Sequence, residues 1–289
     1  MPARQPFTAL CQAAARGRVA GRPGCADLHT HTTHSDGLYT PAQVVELARR
    51  SGLAAVAVTD HDALGGIAVA RAAAAGSGVE VVAGVEITAE FRGRELHLLG
   101  YFFRPDDGPL NAALEKLRRG RAERFTEMVG RLRACGVSVD VTPEAGGGPE
   151  ALGRRRLAEL LVQQKKAATV REAFARWLHD GGRAAAPKLR LPVAEAVALV
   201  RGAGGVAAWA HPPYDGTEEH LAELRGLGLG AVEAEYPGVR RSRVRELRNW
   251  AARLGLAVSG GSDCHGPGRR AVGACTVSTA ELDLLRPKH

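Results

Sequence analysis

Cysteine is scarce in this chain and odd in number: Cys11, Cys25, Cys135, Cys264 and Cys275 in 289 residues, with no Cys-x-x-Cys pair. That usage argues against a disulfide framework and favours a reducing, cytoplasmic compartment. Long apolar runs are also missing. None approaches the roughly 20 residues that span a bilayer, so no membrane partner is expected. Residues 1–24 carry Arg4, Arg16, Arg18 and Arg22 but no continuous apolar segment, which speaks against a secretory signal. Phe7 to Ala15 reads as a short helix, and Arg16 to Gly24 as a flexible lead-in. No internal repeat is visible.

What is present suits one large α/β domain. Hydrophobic residues make up 45% and charged residues 24%, enough for a core and too few charges for general disorder. The net charge is +8, from 39 Lys+Arg against 31 Asp+Glu. It reads either as a field for an anionic partner, a phosphate ester or nucleic acid, or as a solvated arginine-rich surface.

Helical and strand-like patterns alternate over the first hundred residues. Thr40-Pro41 starts a helix through Val44, Val45 and Leu47, and Gly52 stops it. Ala54 to Thr59 reads as a buried strand, Ile67 to Ala75 as a helix, Val79 to Val85 and Glu95 to Phe103 as strands. The rhythm then changes. Leu110, Leu114, Leu117, Phe125, Met128 and Leu132 recur at helical spacing up to Cys135-Gly136. Glu144 to Pro149 is a loop by composition, and helices follow at Gly153 to Lys165 and Val170 to His179. Residues 105–191 therefore read as a helical insertion without strands. Afterwards helices Val193 to Gly202, Thr217 to Leu227 and Ser242 to Leu254 precede strands at Gly205 to Ala210, Ala231 to Glu235 and Leu256 to Ser259, with Val272 to Val277 as a candidate last strand. Parallel strands joined by crossover helices place functional groups where strands end.

The histidines sit at those ends. His29 and His31 fall in Asp27-Leu28-His29-Thr30-His31, His61 in Thr59-Asp60-His61-Asp62, and His97 in Glu95-Leu96-His97. His211 closes Trp209-Ala210-His211-Pro212, and His265 closes Gly260-Gly261-Ser262-Asp263-Cys264-His265. Glu86 ends Gly84-Val85-Glu86. Imidazole with carboxylate is the donor set of zinc, manganese and iron. Any one motif is weak: a His-x-His pair is often two satisfied polar residues, and a histidine inside an apolar strand, such as His97, is often a core residue. The set carries the metal reading. Asp263-x-His265 after two glycines suggests a tight ligand loop. Cys264, between two of the donors, should face the other way and pack. His34 reads as a residue that orients a ligand or the leaving group, His179 as a helix-end residue, and His220 and His289 as surface.

In this order, Asp-Leu-His-Thr-His…Ser-Asp-Gly, Thr-Asp-His-Asp, Gly-Val-Glu, His-Leu-Leu-Gly-Tyr, Ala-His-Pro and Gly-Gly-Ser-Asp-x-His closely resemble the PHP (polymerase and histidinol phosphatase) phosphoesterases. The likeness spans about residues 25 to 270. It implies an α/β fold, a distorted seven-stranded (β/α) barrel formed by 25–104 and 192–289 with 105–191 as a cap, after an N-terminal extension at 1–24. It also implies three divalent cations (manganese, zinc or iron). The first takes His29, His31, Glu86 and Asp263; the second Glu86, His97 and His211; the third Asp36, His61 and His265, with His34 as the substitute for Asp36.

The likeness is nearest to the branch acting on nucleoside 3′,5′-bisphosphates, some of whose members are 5′-to-3′ exoribonucleases. It implies hydrolysis of nucleotide phosphate monoesters by a metal-activated water, with RNA ends as the alternative partner. Arg154 and Lys188 would hold the phosphate that is not cleaved. Arg156 stands where that branch usually carries histidine, and keeps the positive charge. Tyr236 is a candidate for stacking on a base, or for packing at the barrel rim. A non-catalytic metal-binding module and amide hydrolysis are the remaining alternatives. The full ligand set argues against the first, and the cationic insertion and missing carboxylated-lysine signature against the second.

Overall fold

The computed structural model describes residues 24–141 and 152–288. The expected helix at Phe7 to Ala15, the lead-in up to Pro23, the loop at Glu144 to Pro149, Cys11 and His289 lie outside the described residues.

One curled sheet organises the chain. Its strands are β1 (Cys25–Thr30), β2 (Ala55–Val58), β3 (Glu80–Phe91), β4 (Arg94–Tyr101), β6 (Val206–Trp209), β7 (Ala231–Glu235) and β8 (Ala257–Gly260), with the short β5 (Leu191–Pro192) and β9 (Val277–Ser278) at its margins. The order is β8-β7-β6-β4-β3-β2-β1-β9, and β5 pairs with β3. A parallel bridge between Thr30 and Cys264 joins β1 to the segment after β8 and brings the two ends of the sheet together. Ala26 and Leu28 of β1, Ala57 of β2, Leu99 and Tyr101 of β4, Ala208 of β6 and Ala231 of β7 share one buried cluster, which an open flat sheet would not allow. Tyr101 is fully buried there and donates its hydroxyl to the Leu28 carbonyl at 3.0 Å.

Six of the seven barrel strands run parallel, and β4 runs antiparallel to both β3 and β6. The cause is local. Arg92 and Gly93 alone link β3 to β4, with φ of 52° and 73°. A two-residue turn with both φ positive makes a hairpin, which reverses the chain. The direction of β4 matters for the site, because His97 near its start lies at the same end of the barrel as the ends of its parallel neighbours.

Helices α1 (Pro41–Arg50), α2 (Gly65–Ala74), α6 (Val193–Gly202), α7 (Glu218–Gly226), α8 (Arg241–Leu254) and α9 (Thr279–Leu285) cover the outside. Helix α1 starts as its sequence dictates: Thr40 and Gln43 form a reciprocal capping box with Pro41 in the first turn. Between β4 and β5 the chain makes α3 (Gly108–Ala134), α4 (Arg154–Gln163), α5 (Val170–Ala173) and one π-helical turn (Phe174–Leu178). Leu110, Leu114 and Leu117 of α3 pack on the barrel, whereas Phe125, Met128 and Leu132 pack with Leu157, Leu161 and Trp177 in a separate cluster. One 27-residue helix thus serves two cores.

Strand β3 runs to Phe91, six residues beyond the expected end at Val85. The expected strand at Val272 to Val277 reduces to the two residues of β9, which pair antiparallel with Cys25 and Ala26.

Candidate metal centre

The sheet delivers nine side chains to one place. Glu86, 1% exposed, stands at the centre. Its Oε2 lies 3.3 Å from His29 Nε2, 3.2 Å from His31 Nε2 and 3.2 Å from His61 Nδ1. Its Oε1 lies 2.8 Å from His97 Nδ1 and 3.0 Å from His211 Nε2. Asp263 Oδ1 is a second focus, 3.6 Å from His29 Nε2, 3.3 Å from His31 Nε2 and 3.4 Å from His265 Nδ1. Asp36 Oδ1 is a third, 3.2 Å from His265 Nε2 and 3.9 Å from both His31 Nδ1 and His61 Nε2.

Four groups of donor atoms are close enough to share a cation: His31, Asp36, His61 and His265; His29, His31 and Asp263; His29, Glu86 and His211; and His61, Glu86 and His97. All nine candidate ligands from the sequence are in this constellation. Asp36 belongs to it and His34 does not. The grouping also differs in detail from the expected partition, since His31 faces two foci and His61 reaches Glu86 as well as Asp36.

These donors fit divalent cations. His29 Nε2, both nitrogens of His31, Asp36 Oδ1, His61 Nδ1 and His97 Nδ1 are buried without a hydrogen-bond partner, and buried polar atoms are otherwise almost always satisfied. The electrostatics agree. Burial disfavours the charged form of His31, but Asp263 and Glu86 outweigh it and push that imidazole up to about 10. Burial disfavours the charged form of the half-buried His97 too, but Glu86 and Glu95 push it up to about 9. Burial would raise Glu86, yet His61, His97 and His29 hold its carboxyl well below the usual range. His61 is held well below its ordinary value by burial. Carboxylates and imidazoles thus neutralise one another where ions would otherwise do so.

Local structure explains the convergence. Asp27 accepts from the backbone N–H of Ser262 at 2.8 Å and of Gly273 at 2.8 Å, which fastens the Asp263 loop to β1. Asp60 accepts from Thr32 N–H at 2.6 Å, Thr32 Oγ1 at 2.7 Å and Ser35 Oγ at 2.6 Å, which folds the Asp36 loop over His61. A Cβ on Gly261 would lie 2.3 Å from the His29 amide nitrogen, so only glycine admits this approach. His211 and Asp263 adopt φ of 27° and 47°, left-handed conformations that cost a non-glycine residue about 1–3 kcal/mol. Cys264 points away from the cluster and is buried in a core cluster with Val44 and Val272. Burial pushes its thiol up to about 12.

Besides Asp27 and Asp60, four more residues that position the site were not foreseen in that role. Glu233, fully buried on β7, faces His29 Nδ1 at 2.9 Å and accepts the backbone N–H of His211 at 2.6 Å. An acid within the apolar run Ala231 to Ala234 was the available signal. Glu95 lies 3.1 Å from His97 Nε2. Asp62 accepts from Thr88 N–H at 2.8 Å and Thr88 Oγ1 at 3.0 Å and pairs with Arg121 of α3. Nothing in the sequence separates Arg121 from its neighbouring arginines.

Of the expected substrate contacts, Lys188 reaches the cluster through Glu95, with Nζ 2.7 Å from Oε1. Arg154 pairs with Asp180 and donates to Leu178 O at 3.3 Å, and Arg156 sits 3.7 Å from Glu159 on its own helix. Neither touches one of the nine. Arg124 is lowered by burial and by the charges of Arg154 and Arg121, so the insertion gathers cations on this side. Tyr236 corrects the base-stacking expectation. It is 8% exposed, packs in the main core and donates its hydroxyl to Pro212 O at 2.8 Å, so its place is barrel packing.

Comparison with known proteins agrees with this geometry. The PHP domain profile matches residues 27–168. The 3′,5′-nucleoside bisphosphate phosphatase of Chromobacterium violaceum is 32% identical over 84% of this chain and 87% of its own length. A 5′-3′ exoribonuclease of Haemophilus influenzae is 32% identical over 83% and 90%. A phosphoribosyl 1,2-cyclic phosphate 1,2-diphosphodiesterase of Eggerthella lenta is 34% identical over 83% and 94%. Among solved structures, a Bifidobacterium adolescentis protein assigned as a metal-dependent phosphoesterase superposes with a TM-score of 0.81 at 30% identity, covering 90% of this chain and 94% of that one. A Chromobacterium violaceum amidohydrolase solved with bound sulfate and no metal gives 0.80 at 31% identity, covering 91% and 98%.

Proposed function

Because the chain belongs to the PHP family of metal-dependent phosphoesterases, we propose that it hydrolyses phosphate monoesters of nucleotides, with nucleoside 3′,5′-bisphosphates as its substrates. The observation that carries this reading is Glu86, a buried carboxylate facing five imidazoles. Such a donor set has no use in a hydrophobic core and a clear use around cations. We assign the ligand set to His29, His31, Asp36, His61, Glu86, His97, His211, Asp263 and His265, and its occupants to three divalent ions, manganese, zinc or iron. Such ions, when bound, acidify water and offset negative charge on phosphoryl oxygens.

The protein's own residues supply the rest. Glu233 and Glu95 orient imidazoles by accepting from the ring nitrogen turned away from the centre. Lys188, with Arg154 and Arg156 on the same cationic side, holds the phosphate that is not cleaved, which favours a bisphosphate over a monophosphate. Residues 105–191 act as a cap that brings these cations over the barrel mouth. Ser262 is no nucleophile, since its hydroxyl is buried and no histidine base among the described residues pairs with it. Cys25, Cys135, Cys264 and Cys275 are free thiols, in keeping with a cytoplasmic location. No helix among the described residues is long and apolar enough to cross a membrane.

A phosphate-release screen over nucleoside mono- and bisphosphates and short RNAs, with manganese added, tests the reading. Release that is fastest from a 3′,5′-bisphosphate supports it. Release from none of these compounds ends it.

A further inference from the structure

The loop that begins with His211 is held through its carbonyls. His211 adopts a φ of 27°, a left-handed conformation that strains any residue with a Cβ, and it precedes Pro212, which pushes the residue before it toward extended backbone. Left to itself, the chain would relax and carry the imidazole away from Glu86, whose Oε1 lies 3.0 Å from His211 Nε2. Glu233 is one restraint, since it accepts the His211 N–H at 2.6 Å. It fixes only the N-terminal side of the residue. On the other side, Pro212 and Pro213 have no N–H to donate. Pro213, Tyr214 and Asp215 are exposed, Tyr214 by 58%, so no buried side chain anchors the middle of the loop. What remains for the core to grip is its carbonyl oxygens.

Two side chains reach them. Tyr236, just beyond β7, donates its hydroxyl to Pro212 O at 2.8 Å. Arg243, in the first turn of α8, donates through Nη2 to Pro213 O and Gly216 O at 2.9 Å each. The Gly216 N–H returns to Pro213 O at 2.9 Å, so Arg243 braces both ends of one closed turn. Its guanidinium is 6% exposed, lies 4.7 Å from the centroid of the Trp250 ring, and meets Glu246 Oε2 at 2.6 Å through Nη1. Helix α8 has no need of a cation at this point. The helix dipole disfavours positive charge in a first turn, and a buried guanidinium is costly unless its donors are used. The use found for Nη2 is the His211 loop.

We propose that Arg243 is a positioning residue of the metal centre. With Tyr236 it holds the two-proline loop by its carbonyls, keeps His211 in its left-handed conformation and aims His211 Nε2 at Glu86. The hydrogen bonds of Arg243 go to Glu246 and the loop, and none goes to the nine candidate ligands, so it acts through His211. The inference rests on His211 being a metal ligand and extends the site to α8.

The test titrates the full, metal-stripped chain with manganese and counts free ion by electron paramagnetic resonance. His211→Ala should weaken a bound ion, because it deletes a donor. Arg243→Met, which keeps an unbranched apolar stem beside Trp250, should weaken the same ion about 10- to 100-fold. Arg243→Lys returns a donor to the carbonyls and should recover part of that loss. Tyr236→Phe removes one hydroxyl and little volume, and should weaken the ion about fivefold. The deciding measurement is the double-mutant cycle. In the His211→Ala background, Arg243→Met and Tyr236→Phe should cost no further affinity, since their route to the ion is gone. Leu47→Ala, buried in α1 beside Val44, is the stability control: it should lower Tm and leave manganese affinity at the parent value. Equal losses with and without His211, or a comparable loss from Leu47→Ala, would make Arg243 an ordinary part of the fold and overturn the proposal. A parent protein that binds manganese, paired with additive losses, removes the positioning role and leaves the metal centre. A parent protein that binds no manganese removes both.

Discussion

At the residue scale, the centre depends on a few buried carboxylates with unequal tasks. Glu86 faces five histidines, so Glu86→Ala should remove bound metal and most activity while the barrel stays folded. Elemental analysis beside circular dichroism checks this, and full activity would contradict the assigned ligand set. Glu233 touches only His29 and the His211 backbone, and both partners donate to it. Glu233→Gln offers one acceptor where two are needed, and should cost about 10- to 100-fold in metal affinity or activity. Chelator competition reads this directly. The protonation of the histidines gives a further prediction. His31 and His97, pushed up to about 10 and about 9, carry protons near neutrality when no cation is bound. A divalent ion taking their nitrogens displaces those protons, so its uptake at pH 7 releases protons and its affinity rises with pH. Calorimetry in buffers of different ionisation enthalpy measures the release, and a value of zero would refute the linkage.

At the element scale, α3 ties the insertion to the site through one ion pair. Arg121 meets Asp62, which is 1% exposed and also holds Thr88, two residues along β3 from Glu86. Arg121→Ala strands a buried carboxylate and should destabilise the fold by about 3–5 kcal/mol. Adding Asp62→Asn should recover part of that loss in denaturant titrations, and no recovery would mean that the pair is not the cause. How far each element was legible varied with how local its cause is. The capping box of α1 and the leucine spacing of α3 are patterns within one segment, and the helices form where those patterns lie. The reversal of β4 was equally local but rests on Arg92-Gly93, a two-residue link that strand periodicity does not register.

At the scale of the whole molecule, ligands from β1, β2, β3, β4, β6 and the loop after β8 must coincide, so cations should act as staples across the barrel. Saturating metal binds the native state and not the unfolded chain, contributing about 2.7 kcal/mol per site at a hundredfold excess over Kd. Manganese should therefore raise Tm, and a chelator should lower it. An unchanged Tm, with metal shown by elemental analysis to have exchanged, would place the ions outside the barrel.

The sequence by itself determined the donors and placed most of them where apolar strand-like runs end, although Glu86 and His97 lie inside β3 and β4. Residue type and position along a strand are local, and apolar runs ending in His, Asp or Glu express both. Tertiary structure alone decided that Glu86 faces five histidines at once, that His31 faces two foci, that Asp36 rather than His34 enters the cluster, and that Tyr236 packs inside while Tyr214 stands out. Those outcomes depend on the angle and distance at which remote strands meet when the sheet closes. No short stretch of chain contains that information.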